Sequence, residues 1–245
     1  MSMNSKNDIF KNIKFVLSHT SHPGNIGSSA RAIKTMGFAQ LSLINPEKFP
    51  HKDADALASG AKDLLQHAQV ASSLEEVTAD CNVLIGFTAR KRELTQEHLS
   101  IEEIAQKIIE LNNNKFALLF GNETSGLKNE EIQHCHYLAY IDANKQYSSL
   151  NLSQAVQVTA YELRKNFNEK EFDVAIKEKK LATFEEQNGF YEHLESTLND
   201  LGFLEKIQGK RLMHRLRLMF NRIQMDEDEV NILRGILNQI SKKID

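Results

Sequence analysis

Three short stretches hold most of the residues able to do chemistry: Asn25-Ile26-Gly27-Ser28-Ser29-Ala30-Arg31, Phe120-Gly121-Asn122-Glu123-Thr124-Ser125-Gly126-Leu127 and Ser148-Ser149-Leu150-Asn151-Leu152-Ser153-Gln154-Ala155. Each lies where an apolar, strand-like run hands over to a helical pattern. Open α/β proteins bind ligands at such junctions, outside the carboxyl ends of strands. Glycine and small hydroxyl residues there let backbone approach a ligand and leave N–H groups free to bind it. In the first stretch, Gly27 reads as a loop residue ahead of a helix, a setting suited to a phosphate. Arg31 lies far enough along that helix to reach back toward the same place. In the second, Gly121-Asn122-Glu123 is a sharp turn carrying a carboxylate. In the third, Ser149 and Asn151 stand at a helix start, where capping alone would account for them.

The elements that must position these residues follow from periodicity. Apolar runs at Ile13-Leu17, Leu41-Ile44, Val83-Phe87, Phe116-Phe120 and Tyr137-Ile141 read as strands, with a weaker candidate at Gln69-Val70. Helical patterns fall at Ser28-Met36, Asp53-Leu65, Leu74-Ala79, Ile101-Leu111, Lys128-His134 and Leu152 to Asn166. Strands alternating with helices imply an α/β fold, a mainly parallel sheet with helices on both faces. Near-continuous apolar strands fit a sheet covered on both sides. A first unit thus spans residues 1–167. Charges then crowd a linker over 168–180, and 181–245 form a small helical extension with segments at Phe184-Gly202, Lys210-Ile223 and Glu227-Lys242.

In order and form the three stretches resemble the motifs of the SpoU (TrmH-like) branch of the SPOUT RNA 2′-O-methyltransferases. The tail segments Phe190-Tyr191-Glu192-His193-Leu194-Glu195 and Asn231-Ile232-Leu233-Arg234-Gly235-Ile236-Leu237 narrow the likeness to its TrmJ-type subfamily. The resemblance implies a trefoil-knotted sheet, S-adenosylmethionine as methyl donor, a homodimer, and a tRNA anticodon-loop ribose (cytidine or uridine at position thirty-two) as target. It makes Arg31 the catalytic arginine and Asn25 a residue that helps hold it and the nucleotide. It sets Glu123 beside the target, with Ser149 and Asn151 facing the reaction. Phe87, Thr88, Ala89, Gly121, Ile141, Ser148, Ser149 and Leu150 would wall the cofactor site. Subfamily relatives carry Arg where this chain has Asn122, the form usual in the wider SpoU group, which leaves another tRNA position or rRNA open as target. A catalytically inactive RNA-binding protein is the reading from another class, against which all five catalytic candidates are present.

Such a reaction needs a ribose hydroxyl to lose its proton as it attacks a methyl carbon. Arginine, with a pKa of roughly 12.5–13.8, is a poor base, so orientation of a phosphate and stabilisation of the developing alkoxide are the expected work of Arg31. The proton could then pass to the phosphate, to water or to transiently deprotonated Arg31.

Net charge is only −3 over 245 residues, so an RNA surface must come from local clustering. Lys206 to Met225 is basic without an acidic residue. Arg211, Arg215 and Arg222 share one helical face there, opposite Leu212, Met213, Leu216, Phe220 and Ile223. Arg31, Lys34, Arg90, Lys91 and Arg92 would continue that surface. Cys81 and Cys135 lack ligand-type spacing and read as reduced core residues. The pairs His19/His22 and His134/His136 lack partners for a metal, and none is expected. Neither GxGxxG nor GxxxxGK[ST] occurs, which argues against a dehydrogenase or NTPase. No secretory signal or membrane-length apolar run is found, so the cytoplasm is the expected compartment.

Overall fold

The computed structural model describes residues 9–89, 97–144, 146–169, 179–204 and 209–244. Its centre is a sheet of seven strands, all parallel: β1 (Ile13–Ser18), β2 (Gln40–Ile44), β3 (Gln69–Ala71), β4 (Val83–Phe87), β5 (Glu97–Ser100), β6 (Phe116–Phe120) and β7 (Tyr137–Tyr140). Their spatial order is β3-β2-β1-β6-β4-β7-β5. The chain therefore leaves β1 toward one edge and later returns to fill the other side, which makes the β1/β6 boundary a switch point. Loops leaving two neighbouring strands part there and open a crevice.

Successive strand residues face opposite sides, and the two faces are covered by different helices. Phe15, Leu17, Val83, Ile85, Phe116, Leu118 and Phe120 enter the larger core. It is closed by α1 (Pro23–Thr35), α2 (Lys52–Ala58), α3 (Lys62–Gln66), α5 (Ile101–Glu110) and α7 (Leu152–Glu169). Val16, Leu84, Ala117, Leu119 and Leu138 enter the second core, beneath α4 (Leu74–Thr78) and α6 (Asn129–His134). The helix starts are set locally. Ser100 and Glu103 form a reciprocal capping box on α5, and Thr183 and Glu186 do so on α8 (Phe184–Asp200).

The expected fold class is the one observed, with three local differences. Strand β5 was not expected: of Glu97-His98-Leu99-Ser100 only Leu99 is buried, so an edge strand left no apolar run to read. The Asp53-Leu65 helix is broken at Ser59, whose φ of 51° no α-helix accommodates. Helix α1 begins at Pro23 rather than Ser28, so Gly27 lies inside it. A Cβ on Gly27 would fall 2.1 Å from the Ala54 carbonyl oxygen, so this glycine serves helix-to-helix approach. The expected loop with free amides at Gly27 is not there.

The tail adds α8, α9 (Gly209–Ile223) and α10 (Glu227–Ile244). Its first residues are built into the sheet unit. Phe184 is buried in the second core, and its amide donates to the Cys81 carbonyl at 2.7 Å. Leu181 lies in the first core, held by Asn82 and Asn114 through hydrogen bonds of 2.6 and 2.8 Å. Of the 168–180 linker, residues 170–178 lie outside the described residues.

Candidate active site

The loops after β4, β6 and β7 meet at the carboxyl end of the sheet and enclose a cavity of about 380 Å³, and the loop after β1 adjoins it through Glu123. This falls within the roughly 300–1,000 Å³ of small-molecule sites. Phe87, Thr88, Ala89, Gly121, Ile141, Ser148, Ser149 and Leu150 all line it, together with Glu123 and Tyr147. The floor is apolar: the Phe87 and Phe120 rings stack with centroids 4.4 Å apart. The rim carries polar backbone and hydroxyl groups together with the exposed side chains of Tyr147 and Leu150.

The turn after β6 is tight. The Gly126 amide donates to the Asn122 carbonyl at 2.8 Å, and a Cβ on Gly121 would fall 2.1 Å from the Leu127 nitrogen. Only glycine fits at position 121. Asn122 then pins the turn from both sides. Its amide nitrogen donates to the His19 carbonyl at 2.7 Å, and its oxygen accepts from the Thr124 amide at 2.9 Å.

Glu123 leans across to the start of α1. One carboxylate oxygen accepts from the Ser21 amide and hydroxyl at 3.0 and 2.9 Å. The other accepts from the His22 amide at 3.2 Å and from Asn25 Nδ2 at 2.8 Å. Partial burial opposes its charge, but the donors from Ser21 and Asn25 outweigh that and hold its pKa down at about 2. This carboxylate lies where the sequence suggested a phosphate, at the positive end of the helix.

Asn151 completes the network. Its oxygen accepts from the Ser153 amide at 2.9 Å and so caps α7, while its nitrogen donates to Asn25 Oδ1 at 3.0 Å. Both amides thereby have fixed orientations. Of the five catalytic candidates, Asn25, Glu123 and Asn151 are hydrogen-bonded together, and Ser149 lines the adjoining cavity. Arg31 is exposed, about two turns down α1, and lies outside both the network and the cavity lining.

Sequence reasoning missed Ser21 and His22, whose backbone groups act here and leave no signature in residue type. It also set aside His19, which adopts a φ of 54° at the end of β1. The His19 ring meets the Ser18 hydroxyl at 2.7 Å and Lys128 Nζ at 2.8 Å, and Ser18 in turn bonds buried Glu131. This cluster fixes the segment that grips Glu123.

Among the RNA-surface candidates, Arg211, Arg215 and Arg222 are exposed on α9, and Arg90 lies outside the described residues, as do Lys91, Arg92 and Lys206. Lys34 is engaged by Asp63 at 2.7 Å and the Gly60 carbonyl at 3.0 Å. Cys81 and Cys135 are both buried and unpaired. Among the described residues, no group of three His, Cys, Asp or Glu side chains is placed to hold a metal, and no helix is long and apolar enough to cross a membrane.

Residues 12–161 match the SpoU rRNA Methylase family, and residues 185–245 match the C-terminal domain of the tRNA methyltransferase TrmJ. The chain belongs to the SpoU methylase family. This SpoU methylase is 43% identical, over 94% of each chain, to the tRNA (cytidine/uridine/adenosine-2′-O-)-methyltransferase TrmJ of Pseudomonas aeruginosa strain UCBPP-PA14. It is 40% identical to the tRNA (cytidine/uridine-2′-O-)-methyltransferase TrmJ of Photorhabdus laumondii, over 96% of this chain and 98% of that one. The crystal structure of TrmJ from Z. mobilis ZM4 superposes with a TM-score of 0.84 at 30% identity, covering 93% of this chain and 98% of that one. The SpoU methyltransferase AviRb from Streptomyces viridochromogenes, solved in complex with AdoMet, shares the fold with a TM-score of 0.53 at 22% identity over 64% of this chain and 61% of that one.

Proposed function

We propose that this SpoU methylase transfers a methyl group from S-adenosylmethionine to the ribose 2′-hydroxyl of a cytidine or uridine in tRNA, in the anticodon loop at position thirty-two, as a cytoplasmic homodimer. The observation that carries the reading is the Glu123–Asn25–Asn151 network, joined through Glu123 to a cavity that all eight expected cofactor residues line. Similarity over nearly the whole chain to tRNA 2′-O-methyltransferases supports the substrate.

The cavity fits the methyl donor on its own terms. Gly121 lets the loop after β6 fold tightly on Gly126 and Leu127 and so shape the cavity wall, and the Phe87–Phe120 floor offers an apolar bed. Ile141, Thr88, Ala89, Ser148, Ser149 and Leu150 would hold the molecule through loop backbone. When bound, it supplies a methyl group already activated for attack, so no metal is required.

The chain's own residues then have separate tasks. Glu123, ionised and held by four donors, is a fixed negative anchor rather than a base. It locks the orientation of Asn25, whose amide faces the place where the ribose must lie. Ser149 and Asn151 bound that place from the other side. Arg31 would hold the phosphate of the nucleotide and stabilise the developing alkoxide. Arg211, Arg215 and Arg222 on α9 are assigned to phosphates farther along the tRNA.

Nucleoside mass spectrometry of unmodified tRNA incubated with protein and labelled S-adenosylmethionine tests this. A 2′-O-methylpyrimidine mapped to position thirty-two is expected. Label in rRNA only, or at another tRNA position, would redirect the assignment.

A further inference from the structure

We propose that Tyr147 is a substrate-binding residue that stacks on an unpaired base of the RNA at the mouth of the cavity. At 79% exposure it is the most exposed large apolar side chain among the described residues. It contributes nothing to either core, yet it lines the same cavity as Gly121 and Ser149. Its presentation is built. The Asn144 side chain accepts from the Gln146 amide at 2.9 Å, and the Asn144 carbonyl accepts from the Tyr147 amide at 2.9 Å. These two bonds hold the Tyr147 backbone at the cavity wall, where its side chain stands exposed.

The chemistry supplies the occupant. A ribose hydroxyl can reach the Asn25–Glu123–Asn151 network only if its nucleotide leaves the stacked helix, and the base then loses its neighbours. An exposed aromatic face replaces that stacking, and it accepts any base because every base has a π face. Leu150, 37% exposed on the same rim, offers a second apolar surface beside it. The target is thus an unstacked, single-stranded nucleotide. This inference rests on the reading of the site as a ribose methyltransferase.

The test compares the full-length wild type with Tyr147→Phe and Tyr147→Ala. Methyl transfer to unmodified tRNA, tRNA retention on filters, cofactor affinity by calorimetry and elution volume are each measured. Tyr147→Phe should keep kcat/KM within about threefold, because the π face is retained. Tyr147→Ala should lose roughly tenfold to a hundredfold in kcat/KM, mainly through KM, with cofactor affinity and elution unchanged. Wild-type kcat/KM in Tyr147→Ala would overturn the proposal. So would a cofactor affinity that falls in step with the rate, a hydroxyl dependence in which Phe is as poor as Ala, or a shift to a smaller species. If the wild type methylates no tRNA, the methyltransferase reading has failed instead. Filter retention then decides alone, and an unchanged tRNA affinity in Tyr147→Ala sinks the stacking role.

Discussion

Asn25 and Glu123, on different elements and 98 residues apart, are joined by a 2.8 Å hydrogen bond from the amide nitrogen to one carboxylate oxygen. That contact ties the first turn of α1 to the loop after β6, and it spans the switch point of the sheet. Through Asn151 it also reaches the start of α7. Three distant motifs become one site because their polar atoms satisfy each other.

Glu123→Gln should therefore act out of proportion to its size. One carboxylate oxygen would become an NH₂ facing an existing donor, at a cost on the order of 1–3 kcal/mol. A fall in kcat of roughly tenfold to a hundredfold is expected, with S-adenosylmethionine affinity held within a few-fold. Steady-state rates beside calorimetry check this, and an unchanged kcat would remove Glu123 from the machinery.

Acid sensitivity should come in two windows. The Leu84 amide donates to His136 Nδ1 at 3.1 Å, so the buried ring is neutral and presents Nε2–H to Gln187 at 3.1 Å. Burial depresses its pKa from 6.5 to about 4, and burial does the same for His134. A depressed histidine means that the unfolded chain binds the extra proton first. Stability should thus be full above about pH 6.5 and fall as pH drops toward 4. Glu123, lowered from 4.5 to about 2, withdraws its own contribution only below about pH 4.5. Urea titrations at a series of pH values would show the first decline, and His136→Gln should flatten it.

Much of this was legible because strands covered on both faces announce themselves as apolar runs, and because the three stretches recur in the order and form of a known family, although a turn would by itself explain Gly121 and a helix cap Asn151. The failures have physical causes. Gly27 looked like a loop residue, since nothing local reveals that Ala54 backbone lies against it. Ser21 and His22 act through amides that every residue carries. Arg217 appeared to belong to the basic run of α9. It is instead half-buried, stacked 4.1 Å over the Tyr191 ring and 3.2 Å from His134 Nδ1.

Arg31→Ala should separate chemistry from folding. The side chain is exposed, and its replacement should leave stability within about 0.5 kcal/mol. Losing one preorganised charge at the transition state should cost on the order of 3 kcal/mol, or about a hundredfold in rate. Arg31→Lys should recover little, because an ammonium lacks the planar fork that grips a phosphate twice. A near-normal rate at unchanged melting temperature would end the catalytic assignment.

Tail removal should not be neutral for the sheet unit. Phe184 is 3% exposed and packs into the core that holds Leu74, Val77 and Cys81. Phe184→Ala should cost about 3–5 kcal/mol. A chain ending at Lys180, which lacks both Leu181 and Phe184, should unfold at markedly lower denaturant than the full chain. Cofactor affinity and denaturation of that shortened chain would measure how far the sheet unit stands by itself.

The four arginines of α9 should divide by what each touches. Arg211, Arg215 and Arg222 are exposed on one face, so changing all three to Ala should leave stability nearly intact. It should weaken tRNA binding across sequences and flatten its dependence on log salt by about 0.7–0.9 units per lost phosphate contact. Arg217→Ala should do the opposite. It removes a guanidinium that joins Tyr191 and Asn188 on α8 to His134 on α6, so stability should fall while the salt slope stays put. Lys cannot replace it, since stacking on Tyr191 needs the flat guanidinium. Filter binding over a salt series, beside thermal melts of both variants, separates the two roles. An unchanged salt slope in the triple variant would reduce those arginines to a solvated face.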